Sequence, residues 1–579
     1  MITPRFLAIV APETAGRAQS ILTAAAGMAG FDKAHAGPRL TLFTGTGTPL
    51  RAIDDQAVLV GSVHPGCGNH DGELGPRALQ DGGRGLVAGW WGDYVCLSEH
   101  PADAAVSVIR APSGGVHAFR VRTDDVVLIA SHIELLIDVG AVRPAVDWDF
   151  AAQHLAFTHL CGSATGILGI DEIVAGDCVT EQNGSTKHAM PWSPWEFARA
   201  SKRAATLDEA AERVGDAILT SMAALTAAEN HLLLELSGGL DSSIVAAAAM
   251  QFGRRVSAVN LVTPGPEGDE RYYARLVAEH CKIPLEEARI DADIDLTTPV
   301  AQLTARPGLP AMLAPVDRLF EIFARAHGAT AFISGTGGDS VFCSLGSATP
   351  AIDLFKAKGA SLGVITTLRD IAAVHDTNAW RVAAIMGRQL RRGATRLRWK
   401  RNTRFLDQAR VPDAPSPHPW LDNELAHALP GTRAHIRAIM AAYAHLDDFG
   451  RHQAAPSLYP LLAQPVVEAC LSIPSWLWVA GGRNRSAARA AFAGLLPAAV
   501  AERRTKGAMD AYCARTFEAN RTRLKPFLLD GCLADAGLLD RRAIEDYLSQ
   551  PLGARDALFY HLLPIVDTEA WARRVTSGS

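Results

Sequence analysis

The sequence lacks a long apolar run, an excess of positive charge and any closely paired cysteines. A membrane-spanning helix needs about 18 or more consecutive apolar residues. The longest stretch of small apolar residues, Ala490 to Ala501, is interrupted by Gly494 and Pro497, so we expect no membrane span. The 56 basic and 61 acidic residues give a net charge of -5, which gives no indication of nucleic-acid binding.

The nine cysteines are scattered, and none forms a Cys-x-x-Cys pair. This pattern argues against a structural zinc site or a dithiol redox motif, and an odd, unpatterned set is typical of a reducing compartment. The first ten residues contain one arginine and a short apolar run without a cleavage site, so we predict no signal peptide. The expected location is the cytoplasm.

The 579-residue chain, of which 48% is hydrophobic, has two regions that differ in their residue patterns. About 180 residues of short β-type runs come first, and long Ala- and Leu-rich helical patterns with a few strands follow Leu207. Between them, Glu181 to Lys187 and Pro191 to Trp195 predict a linker. The sequence therefore predicts a β-rich domain and then an α/β domain with added helices, divided near residues 185–205.

The segment from His231 to Val245 predicts a phosphate-binding turn. A strand-length apolar run, Leu232 to Leu236, meets two glycines and then an Ala-rich helix. Free N–H groups and the positive end of the helix dipole would point at one anion. Asp241 would repel a bare phosphate, which indicates a bridging divalent metal. The candidate nucleotide-binding residues here are Leu236, Ser237, Gly238, Gly239, Asp241, Ser242 and Ser243.

A second Gly-rich turn with an acid follows about 95 residues later, in Ala331 to Phe342. Its Asp339 and the earlier Asp241 could reach one Mg²⁺ at the carboxyl edge of a parallel sheet. A single turn of this kind is common and need not be functional, whereas two of them together favour a functional site. The further nucleotide-binding candidates are Ser334 and Gly335 in this turn, and Val259 on an intervening strand where an adenine could be bound.

These motifs resemble the PP-loop ATP pyrophosphatases and, in their order, the class B asparagine synthetase superfamily. Matching segments continue with Pro465 to Pro474, Arg489 and Arg504 to Gly507. The resemblance implies that ATP is cleaved to leave AMP on a substrate carboxylate, with Mg²⁺ held by Asp241 and Asp339. It also implies that Lys506 contacts the phosphates and the tetrahedral intermediate, although a surface lysine is the alternative.

The first part of the chain resembles the glutaminase domain of that superfamily. The matching segments are Gly89 to Tyr94, Ala130 to Leu136 and Gly169 to Gly176. A working glutaminase uses a cysteine directly after the initiator Met as its nucleophile, whereas this chain has Ile2 and a first cysteine at Cys67. The resemblance therefore implies an α/β protein of two domains. Residues 1–190 would form a degenerate Ntn-type β-rich sandwich, and residues 200–579 a PP-loop synthetase domain with a parallel sheet and helical insertions.

Thr336 stands where amino-acid-forming relatives carry Glu and β-lactam-forming ones Tyr, and Ser340 replaces a usual Glu. Within the superfamily the chain most resembles the lasso-peptide cyclases, which join an Asp or Glu side chain of a precursor peptide to its N-terminal amine as a macrolactam. That amine has a pKa near ~8 and needs little activation. The implied partners are the precursor peptide and a leader peptidase. The alternatives are a β-lactam synthetase-like or ammonia-dependent asparagine synthetase-like ligase, and a non-catalytic scaffold.

A basic segment from Arg388 to Arg404 leaves two interpretations open. Its eight cationic side chains form either a solvated helix face and loop or a docking surface for an anionic partner or peptide.

Overall fold

The computed structural model describes residues 4–12, 16–66, 72–263, 265, 268–291, 293–308, 310–392, 399–425, 427–446, 449–504, 507, 509–553 and 555–577. Five residues discussed above lie outside these ranges, namely Ile2, Cys67, Arg396, Arg398 and Lys506. Within these ranges, no helix combines the length and the apolar character that a membrane crossing requires.

The first part of the chain forms two six-stranded antiparallel sheets. The first has the order β10-β8-β9-β1-β3-β2 and the second β12-β11-β7-β6-β5-β4. The strands are β1 (Phe6–Val10), β2 (Phe31–Ala36), β3 (Leu40–Gly45), β4 (Leu50–Ala52), β5 (Ala57–Pro65), β6 (Trp90–His100), β7 (Ala105–Arg110), β8 (Phe119–Thr123), β9 (Val126–Ala130), β10 (Ile170–Glu172), β11 (Cys178–Gln182) and β12 (Ser185–Ala189).

Alternation along these strands explains the layers. Phe6 and Ala8 of β1 pack between the sheets against residues such as Val60 of β5, whereas Leu7 and Ile9 point to the outer face, as the two-residue period of a strand requires. Helices cover both outer faces. The helices of this part are α1 (Gly16–Ala26), α2 (Gln80–Gly89), α3 (Ile133–Asp138), α4 (Trp148–Ala156) and α5 (Pro194–Phe197).

The predicted linker is more ordered than its composition suggests. Residues 181–187 belong to the hairpin β11–β12, which turns at Asn183 and Gly184, both with positive φ. Asn-Gly is the preferred pair for such a two-residue turn. Trp192 and Trp195 are buried, and their indole N–H groups donate to Glu468 and to the Trp420 carbonyl. The linker prediction is therefore wrong for the hairpin, and the following segment is anchored to both parts of the chain.

The second part of the chain contains a five-stranded parallel sheet in the order β15-β14-β13-β16-β17. Its strands are β13 (Leu232–Glu235), β14 (Val256–Val262), β15 (Leu285–Arg289), β16 (Ala331–Ser334) and β17 (Ser457–Leu458). Leu232 and Leu234 face one core and Leu233 faces another. Burial on both faces explains why the central strand is continuously apolar. The expected α/β class with a parallel sheet is confirmed.

Among the described residues of this part, seventeen α-helices follow one another along the chain. They are α6 (Leu207–Leu225), α7 (Leu240–Gln251), α8 (Arg271–Cys281), α9 (Ala314–His327), α10 (Gly338–Val341), α11 (Thr349–Lys358), α12 (Leu362–Val374), α13 (Ala379–Arg391), α14 (Pro419–Asp422), α15 (Pro430–Ala444), α16 (Gln464–Leu471), α17 (Ser486–Phe492), α18 (Ala498–Ala501), α19 (Asp510–Leu529), α20 (Cys532–Asp535), α21 (Arg541–Leu548) and α22 (Leu563–Ser577).

The C-terminal helix α22 packs against the first sheet. Trp571 is fully buried in the same cluster as Leu7 of β1, and its Nε1 donates to the Thr304 carbonyl at 2.9 Å. A Cβ on Gly166 would stand 2.4 Å from the Trp571 ring, so this contact requires glycine. The last helix of the chain thus completes a core begun by the first strand.

The basic segment is divided between exposed and structural side chains. Arg388 and Arg391, near the end of α13, are exposed. Arg401 instead donates to the carbonyls of Val411 and Pro412, which fixes the following loop. In the described part of the segment, fewer cationic side chains are therefore free to bind a partner than the sequence suggests. The docking role of the segment stays a prediction.

Candidate active site

The predicted phosphate-binding turn has the expected strand–turn–helix geometry. β13 ends at Glu235 and α7 begins at Leu240, with Gly239 as its N-cap. Gly238 has φ +70°, and a Cβ there would stand 2.5 Å from the Ala274 nitrogen, so only glycine fits. Ser237 Oγ accepts from the Gly239 N–H and bonds Ser242 Oγ at 3.1 Å. These contacts hold the turn in shape before any ligand binds.

The second glycine turn packs directly against the first. A Cβ on Gly335 would lie 2.5 Å from the Ser242 nitrogen, and one on Gly338 would lie 2.3 Å from Asp241 Cγ. Both contacts are closer than a side chain permits, so the two glycines allow the turns to touch. The result brings the carboxylates of Asp241 and Asp339 to one point, as the sequence predicts.

Arg485 occupies that point. Its Nη1 donates to Asp241 Oδ1 and Oδ2 at 2.9 and 3.0 Å, and to Asp339 Oδ1 at 2.8 Å. The residue has φ 55° and precedes α17. The Asp339 side chain is 48% exposed and that of Asp241 13%. Sequence reasoning missed Arg485; the signal was the glycine pair Gly481-Gly482 just before a helix that carries Arg489.

Two further arginines fix the segment that approaches the glycine turn. Arg489 donates to the carbonyls of Ala501 and Arg503, and burial with the neighbouring Arg485 lowers its pKa to about 10. Arg503 stacks over Tyr273 at 3.8 Å and donates to Glu270 at 2.6 Å. Glu270 also accepts from the backbone N–H of Gly507 at 2.6 Å.

Lys506 itself lies outside the described residues, so its predicted catalytic role stays a prediction. Glu270, at the N-cap of α8, accepts hydrogen bonds from Arg503 and Gly507, which stand before and after Lys506 in the sequence.

The cavity between the two turns is bordered by only some of the predicted nucleotide-binding residues. Ser237, Gly239, Asp241, Ser242, Ser334 and Gly335 form part of its wall. Leu236, Gly238, Ser243 and Val259 are not among the described residues that line it. The Val259 side chain is buried in the core, and its carbonyl accepts from the Leu236 N–H at 2.9 Å. The cavity wall also includes Glu235, Thr336 and Arg503.

The donor set fits a divalent cation shared with a phosphate ligand. In the described part of the chain, no group of three or more His, Cys, Asp or Glu side chains is arranged to hold a metal alone. Asp241 and Asp339, however, both lie within 3.0 Å of one nitrogen. Two carboxylates with remaining positions left to phosphate oxygens and water is the usual binding mode of Mg²⁺.

A second cavity, of about 440 Å³, lies between the two parts of the chain. Glu172 in its wall is ion-paired with Arg110 at 2.6 Å, with His117 at 2.6 Å and with Arg306. Burial alone would raise the pKa of Glu172, but the guanidinium groups of Arg110 and Arg306 and the adjacent His117 bring it well below its usual range. Burial lowers the pKa of His132, another wall residue, to about 3. The charge of Glu172 is thus neutralised within the protein.

The second part of the chain combines a parallel sheet with a glycine-rich turn at its carboxyl edge and two convergent carboxylates, an arrangement typical of α/β nucleotide-binding domains. Residues 213–573 match the family model described as asparagine synthase. Because the match covers more than half of the chain, the protein belongs to the asparagine synthase family. It is an enzyme that forms C–N bonds, and the family's reaction uses ATP.

No curated protein matches the chain. Among solved structures, the glutamine phosphoribosylpyrophosphate amidotransferase from B. subtilis complexed with ADP and GMP aligns at 11% identity over 57% of this chain and 90% of that chain, with a TM-score of 0.20. A structure described as the allosteric regulatory enzyme of purine biosynthesis aligns at 11% identity over 57% and 89%, again with a TM-score of 0.20.

Proposed function

We propose that this ligase is a lasso-peptide cyclase, which adenylates an Asp or Glu side chain of a precursor peptide and joins it to the peptide's N-terminal amine. The observation that carries the proposal is a complete pair of phosphate-binding turns whose wall presents a hydroxyl, Thr336, where amide-forming relatives carry Glu or Tyr. An amine that is already partly neutral at cytosolic pH needs no acid at that position to become nucleophilic, and it loses its remaining proton only as the amide forms.

In the first step, the side-chain carboxylate attacks the α-phosphorus of ATP and pyrophosphate leaves. The backbone N–H groups of the turn at Ser237 to Ser243 would bind the phosphates. Arg485, already bonded to Asp241 and Asp339, would counter the charge of the departing pyrophosphate. Mg²⁺ bound by the same two carboxylates would supply further neutralisation of phosphate charge.

In the second step, the peptide amine attacks the acyl carbon and AMP leaves, which forms the ring amide. Lys506 would counter the negative charge of the tetrahedral intermediate. Closing the ring around a threaded tail requires the enzyme to hold a compact peptide conformer, which is a task of proximity and orientation. The helices α11–α13, which form a core of their own around Val364 and Met386, could serve it.

The first part of the chain is proposed to be a retained Ntn-type domain without glutaminase activity. Two antiparallel sheets with helices on both outer faces support this assignment. Its proposed role is structural or in docking the precursor peptide or the leader peptidase, in the cytoplasm and without nucleic acid or membrane.

The test is incubation with ATP and a candidate precursor peptide, followed by mass spectrometry and a pyrophosphate assay. We expect pyrophosphate release together with the loss of one water from the peptide, both abolished in Asp241→Ala. Amide formation from a small β-amino acid, or from aspartate and ammonia, but from no peptide would replace the cyclase with one of the two alternative ligases. No pyrophosphate under any condition would favour the scaffold.

A further inference from the structure

Glu235 borders the cavity between the two glycine turns. Neither step of the proposed reaction gives this carboxylate a role. It is the last residue of β13 and lies in register with Val259 of β14 and Ser334 of β16. Its side chain is 31% exposed and shares the cavity wall with Ser237 and Thr336. A carboxylate at the end of the central strand is therefore accessible to whatever reacts in the cavity.

A buried arginine holds this carboxylate. Arg451, with a side chain only 2% exposed, donates from Nη2 to Glu235 Oε2 at 2.9 Å. Its guanidinium lies 4.4 and 4.6 Å from the ring centroids of Phe320 and Phe449. Its Nε and Nη1 find no hydrogen-bond partner among the described residues. The two rings and the hydrogen bond hold the buried guanidinium in one place, and it in turn fixes the position of Glu235.

Asp317 is the second acid near this arginine, and it does not reach the cavity wall. Its Oδ1 lies 3.9 Å from Arg451 Nε, and its Oδ2 accepts from the Gly450 N–H at 2.6 Å. Burial raises the pKa of Asp317 to about 6. Glu235 and Asp317 thus share Arg451, while only Glu235 faces the reacting groups.

The rest of the cavity wall is unsuited to an amine. Arg485, Arg489 and Arg503 border it, and like charges disfavour an ammonium group. Asp241, the other carboxylate in the wall, is bonded through both oxygens to Arg485. An incoming amine would therefore be drawn to Glu235.

We propose that Glu235 binds the attacking amine and accepts its proton as the amide forms. The inference rests on the proposed function and adds the group that replaces the acid missing at Thr336. The nitrogen lone pair forms the C–N bond, and the bond between the acyl carbon and the phosphate oxygen of AMP breaks. AMP leaves with that electron pair, and the proton passes from nitrogen to Glu235 and then to solvent.

The test separates the two steps in Glu235→Gln. Glutamine keeps an oxygen that can accept from Arg451, so the anchor survives, but it cannot take a proton. We expect peptide-dependent exchange of pyrophosphate into ATP to stay within about threefold of wild type, while ring closure falls about 10²-fold or more, the usual range for a lost general base. Hydroxylamine should still trap the activated carboxyl as a hydroxamate, and Glu235→Asp should recover part of ring closure.

Asp317→Asn is the matched control, because it alters the same buried cluster without touching the cavity. Its ring closure should equal that of wild type within about twofold, with thermal unfolding measured for every variant. An equal fall in exchange and ring closure in Glu235→Gln would assign the residue to nucleotide binding or to the fold and overturn the proposal. Unchanged ring closure in Glu235→Gln, or an equal loss in Asp317→Asn, would also overturn it.

Failure of the proposed function gives a different result. In that case the wild-type enzyme activates no peptide. The ratio of amide formation to pyrophosphate exchange can then be measured with whichever carboxylate and amine the enzyme does join. The role of Glu235 in accepting the amine's proton is then judged on that ratio alone.

Discussion

The two cavities of this protein use similar charged groups in opposite ways. In the cavity between the two parts of the chain, Glu172 is 5% exposed and is enclosed by Arg110, His117 and Arg306. At the cavity between the two glycine turns, Asp241 of the wall and the adjacent Asp339 share Arg485, and the Asp339 side chain is 48% exposed. The first arrangement stabilises a fold, because its charges satisfy one another away from water. The second leaves its charges accessible for exchange with a ligand.

The largest effect should come from Asp241→Asn. The change keeps the shape of the side chain but removes the charge that pairs with Arg485 and would hold the cation. We expect pyrophosphate release to fall about 10²–10³-fold, as for the loss of one electrostatic group in an active site, while the melting temperature changes little. A steady-state pyrophosphate assay and calorimetry measure both. A large loss of stability with normal turnover would reverse the roles that we assign to the two cavities.

Glu172→Ala should have the opposite profile. It leaves Arg110 and Arg306 buried without their shared partner, a change that typically costs about 3–5 kcal/mol. Turnover of the folded fraction should be unaffected.

The pH dependence of Glu172 has a definite sign. Because its folded pKa lies well below the ordinary value of 4.5, its stabilising contribution is complete above that value and is lost as the pH falls toward the folded pKa. Urea titrations of wild type and variant should therefore converge on acidification. Curves that stay parallel down to low pH would contradict the assignment.

Gly335→Ala tests whether the close backbone contact between the two glycine turns is needed for ATP binding. The added Cβ would meet the Ser242 nitrogen at 2.5 Å, so the two turns must separate at a cost of about 1–3 kcal/mol. We expect a raised KM for ATP. Gly346→Ala is the control, since a Cβ there meets nothing within 4 Å. Equal behaviour of the two variants would show that the contact between the turns is dispensable.

The smallest effect on activity is expected where the two parts of the chain meet. Glu468 accepts from Trp192 Nε1 at 2.7 Å and from Gln464, and burial raises its pKa to about 7. Its contribution is favourable below the unfolded value of 4.5 and is lost as the pH rises to about 7. Glu468→Gln should therefore stabilise the protein by about 1–3 kcal/mol at pH 8 and leave stability at pH 4 unchanged. A stabilisation independent of pH would point to another cause.

The features of this protein that the sequence predicts are those set by a few consecutive residues. The strand, glycine turn and helix around Ser237 depend on a few consecutive residues, and so the approach of Asp241 to Asp339 follows from two such turns on one sheet. Arg485 reaches Asp241, and Arg451 reaches Glu235, through contacts that join residues more than 200 positions apart, and no short pattern encodes these. The hairpin at Asn183 and Gly184 was predictable from its turn pair, but the surrounding polar residues obscured it.

The position of α22 has a consequence for the synthesis of this protein. The outer face of the first sheet, which includes Leu7 of β1 and Leu128 of β9, is completed by Trp571 and Val575. About 440 further residues must be translated after β9 before that helix exists, which takes on the order of a minute at typical elongation rates. During that interval the nascent chain exposes an apolar sheet face. We therefore expect newly made chains to depend on chaperones until the last helix has docked.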